Sequence, residues 1–235
     1  MKKQVVVIHG GDTFETYEKY LDFLCNYEID SLDYFKHKGW KSILQEKLGD
    51  DFEVIRPQMP NKINAKYLEW RIWFEKLVPL LNPEVILVGH SMGGILNAKY
   101  LEWRIWFEKL VPLLNPEVIL VGHSMGGIFL AKYLSENNFP KKILGTFLVS
   151  APYDAETFEY TLVDFVLPAD LKKFEEQGGK IYLYHSTDDD VVPFDNLEKY
   201  KKQLPSATAR VFEDRGHFNQ EDFPELVQDI LNIAN

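Results

Sequence analysis

The sequence predicts an α/β domain with a mostly parallel central sheet and helices on both faces. Three observations predict it. Short β-branched apolar runs alternate with amphipathic stretches, the pattern of strand–helix–strand units. Two kinds of run, "VVVIHGG" and "VILVGHSMGG", end in glycine turns. The chain of 235 residues, 46% hydrophobic and 26% charged, suits one sizeable core. No linker, low-complexity run or composition shift divides it, so 1–235 reads as a single domain.

"QVVVIHGG" is the first buried strand. Residues 12–48 read as mostly helical, with aromatic and leucine residues spaced among charges. "DFEVIRPQMP" is a second strand stopped by proline. "AKYLEWRIWFEKLVPLL" has a helical rhythm in Leu68, Ile72, Trp73, Leu77 and Leu80, and Pro79 bends or ends that helix. "EVILVGHS" is a strand, and the same helix and strand then recur. "KILGTFLVSAP", "KIYLYHSTDDD" and "ARVFEDRGHF" are three more strands, and "PELVQDILNIA" is the last helix. The sheet has seven strands if both copies of the recurring strand join it, and six if one is excluded.

The recurrence is literal. Residues 64–95 reappear unchanged at 97–128, a period of 33. A solenoid is excluded because there are only two copies and neither has a helix-pair pattern. "AKYL" occurs at 65–68, 98–101 and 131–134. Misaligned recombination between such segments duplicates what lies between them. An unchanged copy points to a recent event or a deliberate insertion. Each copy is a complete strand–turn–helix unit, so the fold carries one extra unit.

Net charge is −10, which opposes binding to nucleic acid or an anionic membrane surface. The single cysteine, Cys25, allows no internal disulfide and fits a reducing compartment. The N-terminal run is too short for a signal peptide, and no apolar stretch approaches the roughly 18 residues of a membrane span. The expected location is the cytoplasm. No Cys/His cluster has metal-ligand spacing, so neither metal nor cofactor is expected.

Gly-x-Ser-x-Gly between an apolar strand and a helix marks a nucleophile elbow. It occurs at Gly89–Gly93 around Ser91 and at Gly122–Gly126 around Ser124. The turn presents the serine at the end of the sheet. The backbone N–H of the next residue, Met92 or Met125, can stabilise an oxyanion at the helix N-terminus. Serine needs a base, and the base needs an orienting acid. Asp188 to Asp190 follow one strand, and His217 follows the last. His9, His90 and His123 sit beside glycine turns as structural neighbours, His185 ends a strand, and His37 is a surface residue. Trp70, Trp73, Trp103 and Trp106 read as packing residues. The segment 152–178, with Phe158, Tyr160 and Phe165, is a candidate small apolar cap.

Through "VVVIHGG", "VILVGHSMGG", "STDDDVVPF" and "GHF" the chain resembles the α/β-hydrolase superfamily. Within it, the similarity is to small serine hydrolases of the YdeN and retinoblastoma-binding-protein type. The resemblance implies an α/β-hydrolase fold and a serine hydrolase, with Asp189 as the acid and His217 as the base. It also implies that the loop at Gly10 and Gly11 supplies a second oxyanion N–H. Asp188 and Asp190 are left as solvated or turn-forming. The departure from the family is the duplicate.

With both copies in the sheet, Ser91 stays beside the Gly10–Gly11 loop, while Ser124 keeps its distance from Asp189 and His217. Losing the base costs more rate than losing one oxyanion donor, which favours Ser124 with Ser91 as the alternative nucleophile. The expected activity is that of a carboxylesterase on small acyl esters. Thioesterase or peptidase chemistry uses the same residues, and a binding protein spoiled by the duplicate is the rival. Exchange of one copy between two chains is a route to a homodimer.

Overall fold

The computed structural model describes residues 2–12, 14, 16–29, 31, 39–82, 85–90, 100–114, 116–154 and 165–234. Seven strands form one parallel sheet in the order β2-β1-β3-β4-β5-β6-β7. They are β1 (Lys3–Ile8), β2 (Phe52–Ile55), β3 (Val85–His90), β4 (Glu117–His123), β5 (Lys142–Val149), β6 (Lys180–Ser186) and β7 (Thr208–Phe212). Both copies of the repeated strand are therefore in the sheet, side by side.

Eight α-helices are described: α1 (Tyr17–Asn26), α2 (Leu44–Leu48), α3 (Tyr67–Leu77), α4 (Tyr100–Leu110), α5 (Met125–Glu136), α6 (Lys172–Gln177), α7 (Asp195–Gln203) and α8 (Pro224–Ala234). Alternate strand residues feed two cores, as the period of two requires. Val6, Leu87, Leu120, Leu148 and Leu183 point to the face where Trp70 and Phe74 of α3, Trp103 and Phe107 of α4 and Ile128 of α5 pack. Val5, Ile86, Val88, Val121 and Phe147 point to the other face, against Trp40, Leu44 of α2, and Leu226 and Ile230 of α8. Fully burying each large side chain contributes about 2–3 kcal/mol. Helix α4 joins α3 and α5 in the same core. Connections between neighbouring parallel strands are right-handed as a rule, so an added strand–helix unit is compatible with the winding of the sheet.

The pairing of β3 with β4 joins identical residues: Leu87↔Leu120, Val88↔Val121, Gly89↔Gly122 and His90↔His123. Both α3 and α4 end in a 3₁₀ turn, at Val78–Leu80 and Val111–Leu113. Pro79 and Pro112 stop the α-helical ladder there because they lack an N–H.

Among the described residues of 12–48 most are helical, in α1, α2 and a short 3₁₀ turn at Trp40–Ser42. His37 lies outside the described residues. On α3, Leu68, Ile72 and Trp73 face outward, at 56%, 48% and 49% exposure. The buried stripe is Trp70 and Phe74, with Leu77 packed beside them. This helix carries two apolar stripes of equal periodicity, and the sheet takes the one with the larger aromatic volume. Trp73 is thus not a core residue, and the side chain of Trp106 is not among those described. Of the cap segment, Phe158 and Tyr160 lie outside the described residues, while Phe165 is buried against Tyr100 and Trp103.

Identical residues meet different surroundings in the two copies. Trp70 Nε1 donates to the Pro60 carbonyl at 2.6 Å. The buried Trp103 Nε1 has no acceptor among the described residues. Removing a satisfied donor costs a hydrogen bond and strands its acceptor, whereas removing an unsatisfied one relieves desolvation. Trp70→Phe is therefore expected to lower unfolding stability by about 1 kcal/mol more than Trp103→Phe, as read by urea denaturation of the two variants.

Candidate active site

Ser124 sits between β4 and α5 with φ 57° and ψ −126°. This is the left-handed half of backbone space, which costs a non-glycine residue about 1–3 kcal/mol. Neighbours hold it there. Ser124 N–H donates to the Val149 carbonyl at 2.8 Å, and Gly127 N–H donates to the Ser124 carbonyl at 2.8 Å. The glycines around it are steric requirements. A Cβ on Gly122 would lie 2.4 Å from the Gly126 carbonyl oxygen, and one on Gly127 would lie 2.5 Å from Ala151 Cβ. A Cβ on Gly126 would lie 2.9 Å from the Gly89 carbonyl oxygen of β3. The first-copy strand thus packs directly against the start of α5. Met125 opens that helix, where a backbone N–H has no intrahelical acceptor and the helix dipole favours negative charge.

Asp189 follows β6, and its carboxylate is fully buried. The backbone N–H groups of Val191 and Val192 each donate to Oδ1 at 2.9 Å. Ser150 Oγ donates to Oδ2. His217 Nδ1 lies 3.1 Å from Oδ1 and 3.0 Å from Oδ2. Burial, the largest single influence on Asp189, pushes its pKa up. The hydrogen bonds and charge of His217, with those of Ser150 and Val192, outweigh it and hold the carboxyl below the ordinary range.

His217 lies beside the elbow. Its ring packs on that of His123, with centroids 4.9 Å apart. His123 Nε2 is 2.9 Å from the His217 carbonyl. A carbonyl only accepts, so Nε2 of His123 carries the proton. The loop around His217 is fastened on other sides too. Trp40 Nε1 donates to the Phe218 carbonyl at 3.0 Å, Arg215 N–H to Ser186 Oγ at 3.1 Å, and Gly216 N–H to Asp188 Oδ1 at 2.9 Å. Asp188 therefore forms the turn, and Asp190 is exposed. Reading the sequence missed Ser150, Ser186 and Trp40. Ser150 and Trp40 are distant in the chain from what they hold, and "LVSAP" after β5 carries no local signal beyond a serine at a strand end.

The first copy presents a different neighbourhood. Ser91 and Met92 lie outside the described residues, and so does the side chain of His90. The Gly10–Gly11 loop ends β1, which pairs with β3 rather than β4. One whole strand separates that loop from β4, so it stands two strand spacings away, roughly 10 Å. The loop itself is built tightly. His9 Nδ1 donates to the Gly10 carbonyl at 2.7 Å, and His9 Nε2 accepts from Met59 N–H at 3.0 Å. A Cβ on Gly11 would lie 2.7 Å from the Lys62 carbonyl oxygen. His185 is buried, with Nε2 2.8 Å from the Val192 carbonyl. Among the described residues, no group of three or more His, Cys, Asp or Glu is placed to hold a metal ion, and no helix is long and apolar enough to cross a membrane.

The lowered pKa of Asp189 has a thermodynamic consequence. A carboxyl held below its unfolded value stabilises the fold above that value, about pH 4, and the contribution is lost as pH falls through the folded one. Asp189→Asn is expected to be less stable than the parent chain at pH 7. The gap should narrow as pH falls below the ordinary carboxylate range, as read by thermal melts across pH.

No curated protein is matched by this chain. Among solved structures it is similar to the ydeN gene product from B. subtilis: 18% identity, 99% of each chain covered, TM-score 0.58. It is also similar to a lipase-esterase related protein from Clostridium acetobutylicum, at 9% identity, 98% of this chain and 94% of that one, TM-score 0.54. A YdeN-like hydrolase from Pectobacterium atrosepticum aligns at 14% identity over 99% of this chain and 91% of that one, TM-score 0.51. These likenesses establish the α/β-hydrolase fold. A family model described as serine hydrolase matches residues 97–226. The match begins where the second copy begins and takes in Ser124, Asp189 and His217. It covers more than half of the chain, which therefore belongs to the serine hydrolase family.

Proposed function

We propose that the chain is a carboxylesterase acting on small acyl esters, with Ser124 as nucleophile, His217 as base and Asp189 as the orienting acid. The observation that carries this reading is the His217 imidazole, bound through Nδ1 to the buried Asp189 carboxylate and packed on His123, the residue before Ser124. With Nδ1 committed to Asp189, Nε2 is left to take a proton. Ser124 Oγ attacks the ester carbonyl and passes its proton to His217 Nε2, and the tetrahedral oxyanion takes the Met125 N–H. Collapse expels the alcohol, which receives that proton. Water, deprotonated by His217, then attacks the acyl-enzyme; the acyl–Oγ bond breaks, Ser124 Oγ takes that proton back from His217 Nε2, and the acid leaves. Asp189 keeps the imidazole in the required tautomer and stabilises the imidazolium as it forms.

One observation favours a second reading, a weakened catalyst or a binding protein. Strand β3 stands between the Gly10–Gly11 loop and Ser124, and a missing oxyanion donor costs roughly 10²–10³ in kcat. The charge of the chain, −10, supports a neutral small-molecule substrate rather than a nucleic acid or a membrane surface.

A fluorophosphonate probe tests the assignment. Ser124→Ala is expected to abolish labelling, and Ser91→Ala to leave it. The reverse pattern would move the nucleophile to the first copy, and equal loss in both would make the copies interdependent. A burst of p-nitrophenol from p-nitrophenyl acetate is expected from the parent chain. A folded chain with no burst would favour the second reading.

A further inference from the structure

We propose that Ser150 is a positioning residue for the acid–base pair, its hydroxyl holding Asp189 Oδ2 so that the carboxylate keeps its alignment with His217 Nδ1. The inference rests on the reading of Ser124, His217 and Asp189 given above.

Ser150 is fully buried at the end of β5. Its backbone has φ 47°, a region that glycine enters at no steric cost. A serine here is therefore not explained by the backbone. The peptide is clamped: Ser150 N–H donates to the Tyr184 carbonyl at 2.8 Å, and the preceding Val149 carbonyl accepts the Ser124 N–H at 2.8 Å. One dipeptide thus touches both ends of the site. Val149 holds the nucleophile's backbone, and Ser150 holds the acid's side chain.

The carboxylate's contacts show why the hydroxyl matters. Oδ1 accepts from Val191 and Val192 N–H. Oδ2 accepts from Ser150, and His217 Nδ1 approaches both oxygens. Without Ser150, His217 would be the sole donor to a buried Oδ2. The other ionisable groups nearby are already engaged. His185 Nε2 is 3.9 Å from Oδ2 but faces the Val192 carbonyl, and burial lowers its basicity. Asp188 is bound to Ser186 and Gly216 N–H. Asp195, on α7, acts on His185 through its charge. Removing the hydroxyl takes away one of the hydrogen bonds that hold the Asp189 carboxyl below its ordinary range, so the acid–base pair as a unit takes up its proton at higher pH.

The test is the pH profile of p-nitrophenyl acetate hydrolysis by Ser150→Ala and Ser150→Gly. Glycine removes the hydroxyl and suits the backbone. For both variants kcat is expected to fall roughly tenfold with KM within about twofold, and the acidic limb of kcat/KM to move up by roughly half to one pH unit. A folded Ser150→Gly with an unmoved limb, whether its rate is normal or uniformly reduced, would overturn the positioning role. Loss of folding in both variants would also overturn it, because the hydroxyl would then serve stability alone. Fluorophosphonate labelling separates the two failures. A parent chain that takes no label overturns the reading of the site and this role with it, whereas a labelled parent with unmoved variants overturns this role only.

Discussion

The register of β4 between β3 and β5 is the constraint on which the site depends. Gly122 and His123 stand level with Gly89 and His90 on one side and with Leu148 and Val149 on the other. That level alignment lets the Val149 carbonyl receive the Ser124 N–H and hold a non-glycine residue at positive φ. It also sets Gly126 against the Gly89 carbonyl, where a side chain has no room. A shift of one residue would turn every side chain of β4 to the opposite core and carry the serine away from β5. The strained turn survives because ladders on both flanks over-determine it.

From that alignment the electrostatics follow. A carboxylate buried as deeply as Asp189 would take up a proton if left alone. Two backbone N–H groups, one hydroxyl and one imidazole surround it, so it stays ionised and directional. The imidazole is steadied in turn by His123 beneath its carbonyl and by a loop tied to Trp40, Ser186 and Asp188. The donors come from β4, β5, the turn after β6, and the segment before α2. The base and acid can be aligned only when the sheet is complete.

The repeat shows how far context governs identical residues. One helix sequence packs the same aromatic stripe in α3 and α4, because each presents it to the same face of the sheet. Yet Trp70 reaches a carbonyl and the His9 ring, while Trp103 meets Phe129 and Phe165. The strand copies differ more in consequence. β3 borders the loop with Gly10 and Gly11, and β4 borders the strand that leads to Ser150. The Gly10–Gly11 loop and Ser124 therefore stand at strand ends separated by β3.

The sequence by itself determined the alternation of strands and helices and the glycine-flanked turn around Ser124, while Asp189 and His217 entered only through the resemblance to a family. The first two are local features: β-branched runs and glycines at fixed offsets. It also set the alternatives for the duplicate, since a complete strand–helix unit can enter a parallel sheet without changing its handedness. Tertiary structure decided that both copies enter, that Leu68, Ile72 and Trp73 face outward while Trp70 and Phe74 face inward, and that Ser150 meets Asp189 and Trp40 meets the Phe218 carbonyl. Two stripes of equal period cannot be ranked until a sheet offers a surface to one of them. A hydrogen bond between Ser150 and Asp189, or between Trp40 and Phe218, joins segments that only the finished sheet brings within reach.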